Sequence, residues 1–381
     1  MTLATIILAA LYAALLLLRR HLALAYARSL PPIPAQPLPA GTLTIAQAIL
    51  SGDPLLESRL ETNLTTHASQ RFIWLIDEGD TEARRIAAKL QRPNLHTEIC
   101  PPCPDATNPK LWKLHVAARI VQTPFFAVID DDTTLPESSA AALVEAAKTH
   151  TVSTGLPCYQ ISNDRASSLL AQFVNNNSIF TYLGTSHLLP PFTLNGMGYV
   201  MRREELGRID NFTPILNELT DDLALATLVL KLGGTIHQSD APLQVRTGVR
   251  DFTHYWQMMH RWYVFTILLL QRQSIPVQGL IFLLHGLPPL LFVAIFVCGM
   301  KAATLGAAAA VFPVVLLRDI VIRTLQSRFF GGQILCQRQY SPLSEFLQPL
   351  HLIHSLCSRT IRWRTRLYKV RDTHDFHEVG S

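Results

Sequence analysis

Residues 125–135 of this 381-residue chain read FFAVIDDDTTL, three carboxylates directly behind an apolar run. Adjacent carboxylates repel, and a hard divalent cation bound through oxygen relieves the repulsion while keeping positions free for substrate phosphates. On an extended chain Asp130 and Asp132 point to one side and Asp131 to the other, so the first and third would work as a pair. A solvated acidic turn after a strand explains the same letters equally well. Two further acidic sites bear on the choice. RFIWLID ends another apolar run at Asp77, and Asp221-Asp222 open the amphipathic stretch DDLALATLVLKL. Helix N-termini favour negative charge, which accounts for one of that pair but not for both. Three acidic sites at strand or helix edges fit one chemistry. It comprises nucleotide-sugar binding, metal-assisted departure of a diphosphate, and a carboxylate base for an acceptor hydroxyl.

The elements that must position these groups are short apolar strands, LTIAQAIL, RFIWLID and FFAVID, separated by segments of helical period at 81–90 and 111–121. Such alternation predicts an α/β domain with a mainly parallel sheet, and the carboxyl edge of such a sheet is where ligands bind. We place that domain at 43–250.

Composition sets the surroundings. The chain is 49% apolar and only 16% charged, with a mean hydropathy of +0.21. Residues 2–18 carry no charge and are just long enough to cross a bilayer. Arg19 and Arg20 follow directly, so 1–20 reads as an uncleaved anchor with its basic end in the cytoplasm. A basic, proline-rich linker at 21–42 leads to the α/β domain. After it come an amphipathic interface segment at 251–275, a transmembrane hairpin at 276–325, and an interfacial stretch with a basic tail at 326–381. The net charge of +5 gathers near the two ends of the chain, which suits anionic lipid rather than nucleic acid. The lone CxxC at Cys100 and Cys103 lacks the partner ligands of a zinc site. The three N-x-S/T sequons, at Asn63, Asn176 and Asn211, would matter only in a secreted chain.

In order, Asp77, Asp130/Asp132, Asp222 and Arg261-Trp262 resemble the D, D, D, (Q/R)xxRW pattern of membrane-bound inverting glycosyltransferases with the GT-A fold. The nearest likeness within that class is to ceramide glucosyltransferases. NPK at 108–110, GLP at 155–157, GTSH at 184–187, GMGYVMRREEL at 196–206 and WRTRLYKVR at 363–371 follow in the same order. The resemblance covers roughly 43–371 and implies a UDP-sugar donor, a Mg2+ or Mn2+ ion and a membrane-lipid acceptor. It implies that Asp77 meets the uridine, that Asp130 and Asp132 form the sugar-nucleotide and metal site, and that Asp222 is the general base. His187 matches a histidine near the active site. Arg261 and Trp262 would line the diphosphate and acceptor end, and Lys110 would meet phosphate. One position departs from the pattern: Met258 stands where Gln or Arg is expected, with Gln257 and His260 as the nearest polar substitutes. Asp221 replaces a glutamate.

Two other enzyme or partner classes share these letters, a processive polysaccharide synthase and a catalytically degenerate membrane partner. A transporter is disfavoured by the size of the α/β domain and by the expectation that the spans bury no charge.

Overall fold

Strands buried on both faces need apolar residues at every position, and parallel strands covered by helices are the usual case. The computed structural model describes residues 1–34, 36–363, 366–370 and 376–380. It divides into two units, one formed by 30–158 and 190–248, the other by 1–29, 159–189 and 249–381.

The first unit carries an eight-stranded sheet. Its strands are β1 (Leu43–Ala48), β2 (Arg71–Asp77), β3 (Leu95–Cys100), β4 (Phe125–Ile129), β5 (Thr133–Thr134), β6 (Val152–Tyr159), β7 (Gly198–Arg202) and β8 (Ile236–Val245), in the spatial order β3-β2-β1-β4-β7-β6-β8-β5. β3, β2, β1 and β4 run parallel, and β7 joins β4 antiparallel. The apolar runs at 43–50, 71–77 and 125–130 therefore form three adjacent parallel strands. Along β2, Phe72, Trp74 and Ile76 face one core with helices Leu56–Thr66, Thr81–Lys89 and Glu137–Ala147. Ile73 and Leu75 face the other, with Pro109–Ile120 and Asp221–Lys231. Because β2, β1 and β4 are parallel neighbours, their carboxyl ends at Asp77, Ala48 and Ile129 open onto one edge of the sheet.

In the second unit, three helices are long and apolar enough to cross a membrane: Thr2–Ser29, Ile275–Ala302 and Leu305–Phe329. The first extends past the expected anchor and keeps Arg19, Arg20 and Arg28 helical. The amphipathic segment forms the helix Phe252–Gln271. The expectation that the spans bury no charge is wrong. Arg318, 2% exposed, pairs with Glu345 and donates to Ser341 Oγ at 2.8 Å and Ser341 O at 3.0 Å. Tyr12 donates to the other Glu345 oxygen at 3.0 Å.

Glu345 lies on the helix Tyr340–Cys357, whose pattern is inverted. Its buried residues are Ser341, Ser344, Glu345, Gln348, His351 and Ser355, all polar, while Leu350, Ile353 and Leu356 are more than half exposed. The polar face is absorbed by hydrogen bonds within the unit, such as Asn176 Nδ2 to Ser344 Oγ at 3.2 Å and Tyr255 Oη with His351 Nε2 at 3.1 Å. Asn176 and Asn63 are thus buried structural asparagines. Within WRTRLYKVR, Arg364, Thr365 and Arg371 lie outside the described residues.

Breaking a buried pair strands a charge, which costs about 3–5 kcal/mol. Arg318→Met should lower the melting temperature of the detergent-solubilised chain sharply. Arg318→Met with Glu345→Met should recover more than half of the loss, since both charges then leave together. A double variant as unstable as the single one would show that the pair is not the stabilising unit.

Candidate active site

Lys110 stands at the centre of the acidic groups. It sits in the first turn of the helix Pro109–Ile120, which begins at Pro109 because proline needs no amide partner there. Asn108 caps this helix: its Oδ1 accepts from Lys110 N at 2.9 Å, and its Nδ2 donates to Glu218 O at 3.0 Å and Leu219 O at 3.2 Å. One asparagine therefore fixes both the lysine and the loop leading to Asp221 and Asp222. From that position Lys110 Nζ reaches Asp130 Oδ1 at 2.6 Å, Asp221 Oδ2 at 2.7 Å and Gly196 O at 3.1 Å.

Asp130 follows β4, and its amide donates to Met197 O at 3.0 Å. The chain turns here rather than staying extended, closed by Thr133 N to Asp130 O at 3.0 Å. The simple alternation of the three aspartates therefore fails, because it assumed a strand where a turn begins. Asp131 bends back to accept from Leu50 N at 2.8 Å, pinning the loop after β1. Asp132 accepts from Thr247 Oγ1 at 2.6 Å and Thr133 Oγ1 at 3.1 Å. Burial pushes Asp130 up to about 6 against the pull of Lys110, with Asp132 and Asp221 adding to the push. Burial and then Asp132 push Asp131 up to about 7. Asp130 still has 31% of its side chain exposed, so it sits in a recess that water reaches but does not fill.

Asp221 and Asp222 open the helix Asp221–Lys231, yet neither caps it; Thr220 holds the cap position and makes no side-chain capping bond. Asp222 Oδ1 accepts from the next amide, Leu223 N, at 2.8 Å. Burial, then the charge of Asp221, push the Asp222 carboxyl up to about 7, while Lys110 draws it down. Gly196, from the GMG stretch, makes room for it. A Cβ at Gly196 would lie 3.1 Å from Asp222 Oδ2 and 3.2 Å from its Cβ.

Asp77 at the end of β2 is held by Lys113, whose Nζ lies 2.8 Å from Asp77 Oδ2 and donates to Ile49 O at 2.8 Å. Lys113 is 2% exposed. It was missed in the sequence, although the KLWK spacing puts it on the same helix face as Lys110. Asp80, also missed, caps the helix Thr81–Lys89 and accepts from Ser51 N at 2.8 Å.

His187, Arg261 and Trp262 belong to the membrane-helix unit. His187 is exposed on the short helix Thr185–Leu188. Arg261 and Trp262 lie half-buried on Phe252–Gln271, where Trp262 packs on Tyr159 and Phe173 with ring centroids 6.4 and 6.3 Å away. His260 is no substitute for the missing Gln or Arg at Met258. It is buried, and its ring nitrogens meet Ser355 Oγ at 3.2 Å and Thr360 O at 3.2 Å.

For a metal, the donors on offer are hard carboxylate oxygens, the set that suits Mg2+ or Mn2+. Among the described residues no three acidic, histidine or cysteine groups close into a cage. Asp132 lies close enough to Asp130 to raise its carboxyl, so the two offer neighbouring carboxylate oxygens.

A sheet with four parallel strands at one side, antiparallel partners at the other and carboxylates along its carboxyl edge is the GT-A glycosyltransferase fold, here joined to membrane helices. One solved structure agrees in fold. Over 93% of this chain and 97% of the other, the fold is similar to "Mannosyltransferase PcManGT from Pyrobaculum calidifontis in complex with GDP-Man and Mn2+", with a TM-score of 0.51 and 16% identity. S. aureus TarS 1–349 in complex with UDP-GlcNAc gives a TM-score of 0.38 at 12% identity over 89% and 99% of the two chains, too loose to carry weight. No curated protein matches the sequence closely enough to count as a relative. The model of glycosyl transferase family 21 matches residues 1–375, and the chain belongs to that family, which is the ceramide glucosyltransferase family. It is a glycosyltransferase.

Gly196→Ala should displace the Asp222 carboxylate by a fraction of an ångström. Sugar transfer should then fall on the order of 10–100-fold, with the melting temperature nearly unchanged. Full activity in this variant would mean that the position of Asp222 is not critical.

Proposed function

We propose that the protein transfers a hexose, glucose by family likeness, from a UDP-sugar to the hydroxyl of a membrane lipid such as ceramide, inverting the anomeric centre. The observation that carries this is the unbroken line of contacts Asp130–Lys110–Asp221 at the carboxyl edge of the sheet, with Asp222 beside it.

In this reading Asp222 is the general base. A carboxyl lifted to about 7 holds a proton more firmly than an ordinary aspartate, so it is better matched to a hydroxyl at neutral pH. It takes the proton of the lipid hydroxyl as the oxygen attacks the anomeric carbon from the face opposite the leaving UDP. An α-linked donor then yields a β-linked product. Lys110 balances Asp130 and Asp221 in the resting site and is within one side-chain motion of a diphosphate. Asp77, held by Lys113, meets the uridine. Asp130 and Asp132 would hold Mg2+ or Mn2+, which would neutralise charge on the diphosphate. Arg261, Trp262 and His187 serve the diphosphate and acceptor end. PcManGT, bound to GDP-Man and Mn2+, lends support by fold only.

The acceptor assignment rests on the spans and on the aromatic-rich helix Phe252–Gln271. The basic side chains Arg19, Arg20 and Arg28 after the first apolar stretch favour a cytoplasmic catalytic domain. The basic tail would return to the same side, where it meets anionic headgroups.

Asp222→Asn should lower kcat by about 10²–10⁴-fold with UDP affinity changed less than about threefold. Loss of UDP binding in that variant would refute the base assignment. The products should carry a single added sugar by mass spectrometry; long chains would identify a processive synthase instead. The pH profile supplies an independent check. Asp222 acts only when ionised, so kcat/KM should rise about tenfold per pH unit below the carboxyl's pKa and level off above about 7. A profile flat from pH 5 to 8 would exclude a carboxyl with that pKa as the base.

A further inference from the structure

Among the described residues of the membrane-helix unit, Arg19 is a strongly buried arginine with no ion-pair partner. It is 5% exposed, its Nε and Nη2 are buried, and no hydrogen bond or ion pair reaches it among the described residues. The nearby carboxylate is Glu345, and its two oxygens are already taken by Arg318 and the Tyr12 hydroxyl. Among the described buried side chains of this unit, two arginines, Arg19 and Arg318, therefore stand against one glutamate, Glu345. Water could satisfy the Arg19 donors but could not neutralise the charge, and an unpaired buried charge is costly.

The surroundings of Arg19 look built for a ligand. Its guanidinium lies over the Phe180 ring, 4.2 Å from the centroid. That stacking holds the planar group in place, and Nε and Nη2 along its edge have no hydrogen-bond partner among the described residues. Phe180 belongs to the π-helical turn Ile179–Gly184, and a second π-helical turn, Phe282–Gly286, carries His285. Such turns are rare and concentrate at functional sites. Thr185, the residue after the first turn, has its Oγ1 3.0 Å from His285 Nε2, and the buried Nδ1 of His285 lacks a partner among the described residues. Arg19 lies within electrostatic reach of His285. The backbone at Arg19 passes close to Gly184, 3.7 Å from where a Cβ would stand.

Depth indicates the source of the anion. The uncharged stretch 2–18 rises roughly 25 Å as a helix, which places Arg19 at the far end of the hydrocarbon layer, where phosphates begin. An arginine fork suits a phosphate oxygen pair.

We propose that Arg19, with Phe180, Thr185 and His285 around it, binds the phosphodiester headgroup of an anionic membrane phospholipid. This lipid is a resident ligand of the membrane-helix unit and need not be the sugar acceptor, so the inference stands apart from the proposed reaction.

The test uses the full-length chain in non-ionic detergent, with dioleoylphosphatidylglycerol, dioleoylglycerol and inorganic phosphate as probes. Native mass spectrometry should show one retained phosphatidylglycerol per chain, favoured about tenfold over dioleoylglycerol. Arg19→Gln should lose that preference, whereas Arg20→Gln, at an exposed neighbour, should keep it. Wild-type melting offers a readout that needs no variant: phosphatidylglycerol should raise the melting temperature and inorganic phosphate should not. Three results would overturn the proposal. They are equal retention of dioleoylglycerol by the wild type, equal loss in Arg19→Gln and Arg20→Gln, or equal stabilisation by inorganic phosphate, which would indicate a free-anion site.

Discussion

The arrangement of the catalytic edge depends on one ammonium group placed among carboxylates. Lys110 contacts Asp130, from the turn after β4, and Asp221, from the start of a helix more than ninety residues further on. Without a positive charge there, two partly buried acids would face each other. The lysine is held in turn by the asparagine that precedes its helix, because Asn108 caps that helix and grips the carbonyls of Glu218 and Leu219. A local capping interaction thereby sets the distance between two segments far apart in the chain. The same economy appears at Lys113, which ties the end of β2 to the end of β1 from the next turn of the same helix.

In the proposed reaction Lys110 would turn from these acids towards an incoming diphosphate, and a divalent ion would take over its part beside Asp130. The raised pKa values of Asp130 and Asp131 suit that exchange. Burial has made negative charge costly here, so the edge of the sheet is disposed to accept cations.

Much of the fold could be read from the residues because buried parallel strands leave an unmistakable trace. RFIWLID is apolar between Arg71 and Asp77, FFAVI is apolar throughout, and each forms a strand over those residues. β3, LHTEIC, lies at the edge of the sheet and mixes exposed with buried positions, so it gave no such trace. β5 is only two residues long, and β6 carries a glycine and a proline. The acidic positions were legible as strand and helix ends. Their geometry was not, since a turn replaces the strand at Asp130 and reassigns Asp131 to a structural hydrogen bond. Lys113 was hidden because a lysine in an amphipathic helix ordinarily faces water, and only the third dimension shows this one inside. Arg318 escaped the sequence reading, which expected no buried charge in the spans, because its partner Glu345 lies on a later helix.

The inverted helix Tyr340–Cys357 has a practical corollary. Leu343, Leu350, Ile353 and Leu356 face outward and its three serines and His351 face inward, so the greasiness of this protein does not reside in the three long spans alone. A shortened form lacking the hairpin would still present that row of aliphatic side chains and would expose the hydroxyls beneath them. It would be expected to clump in plain buffer, and an amphiphile would be needed to keep even such a fragment dispersed.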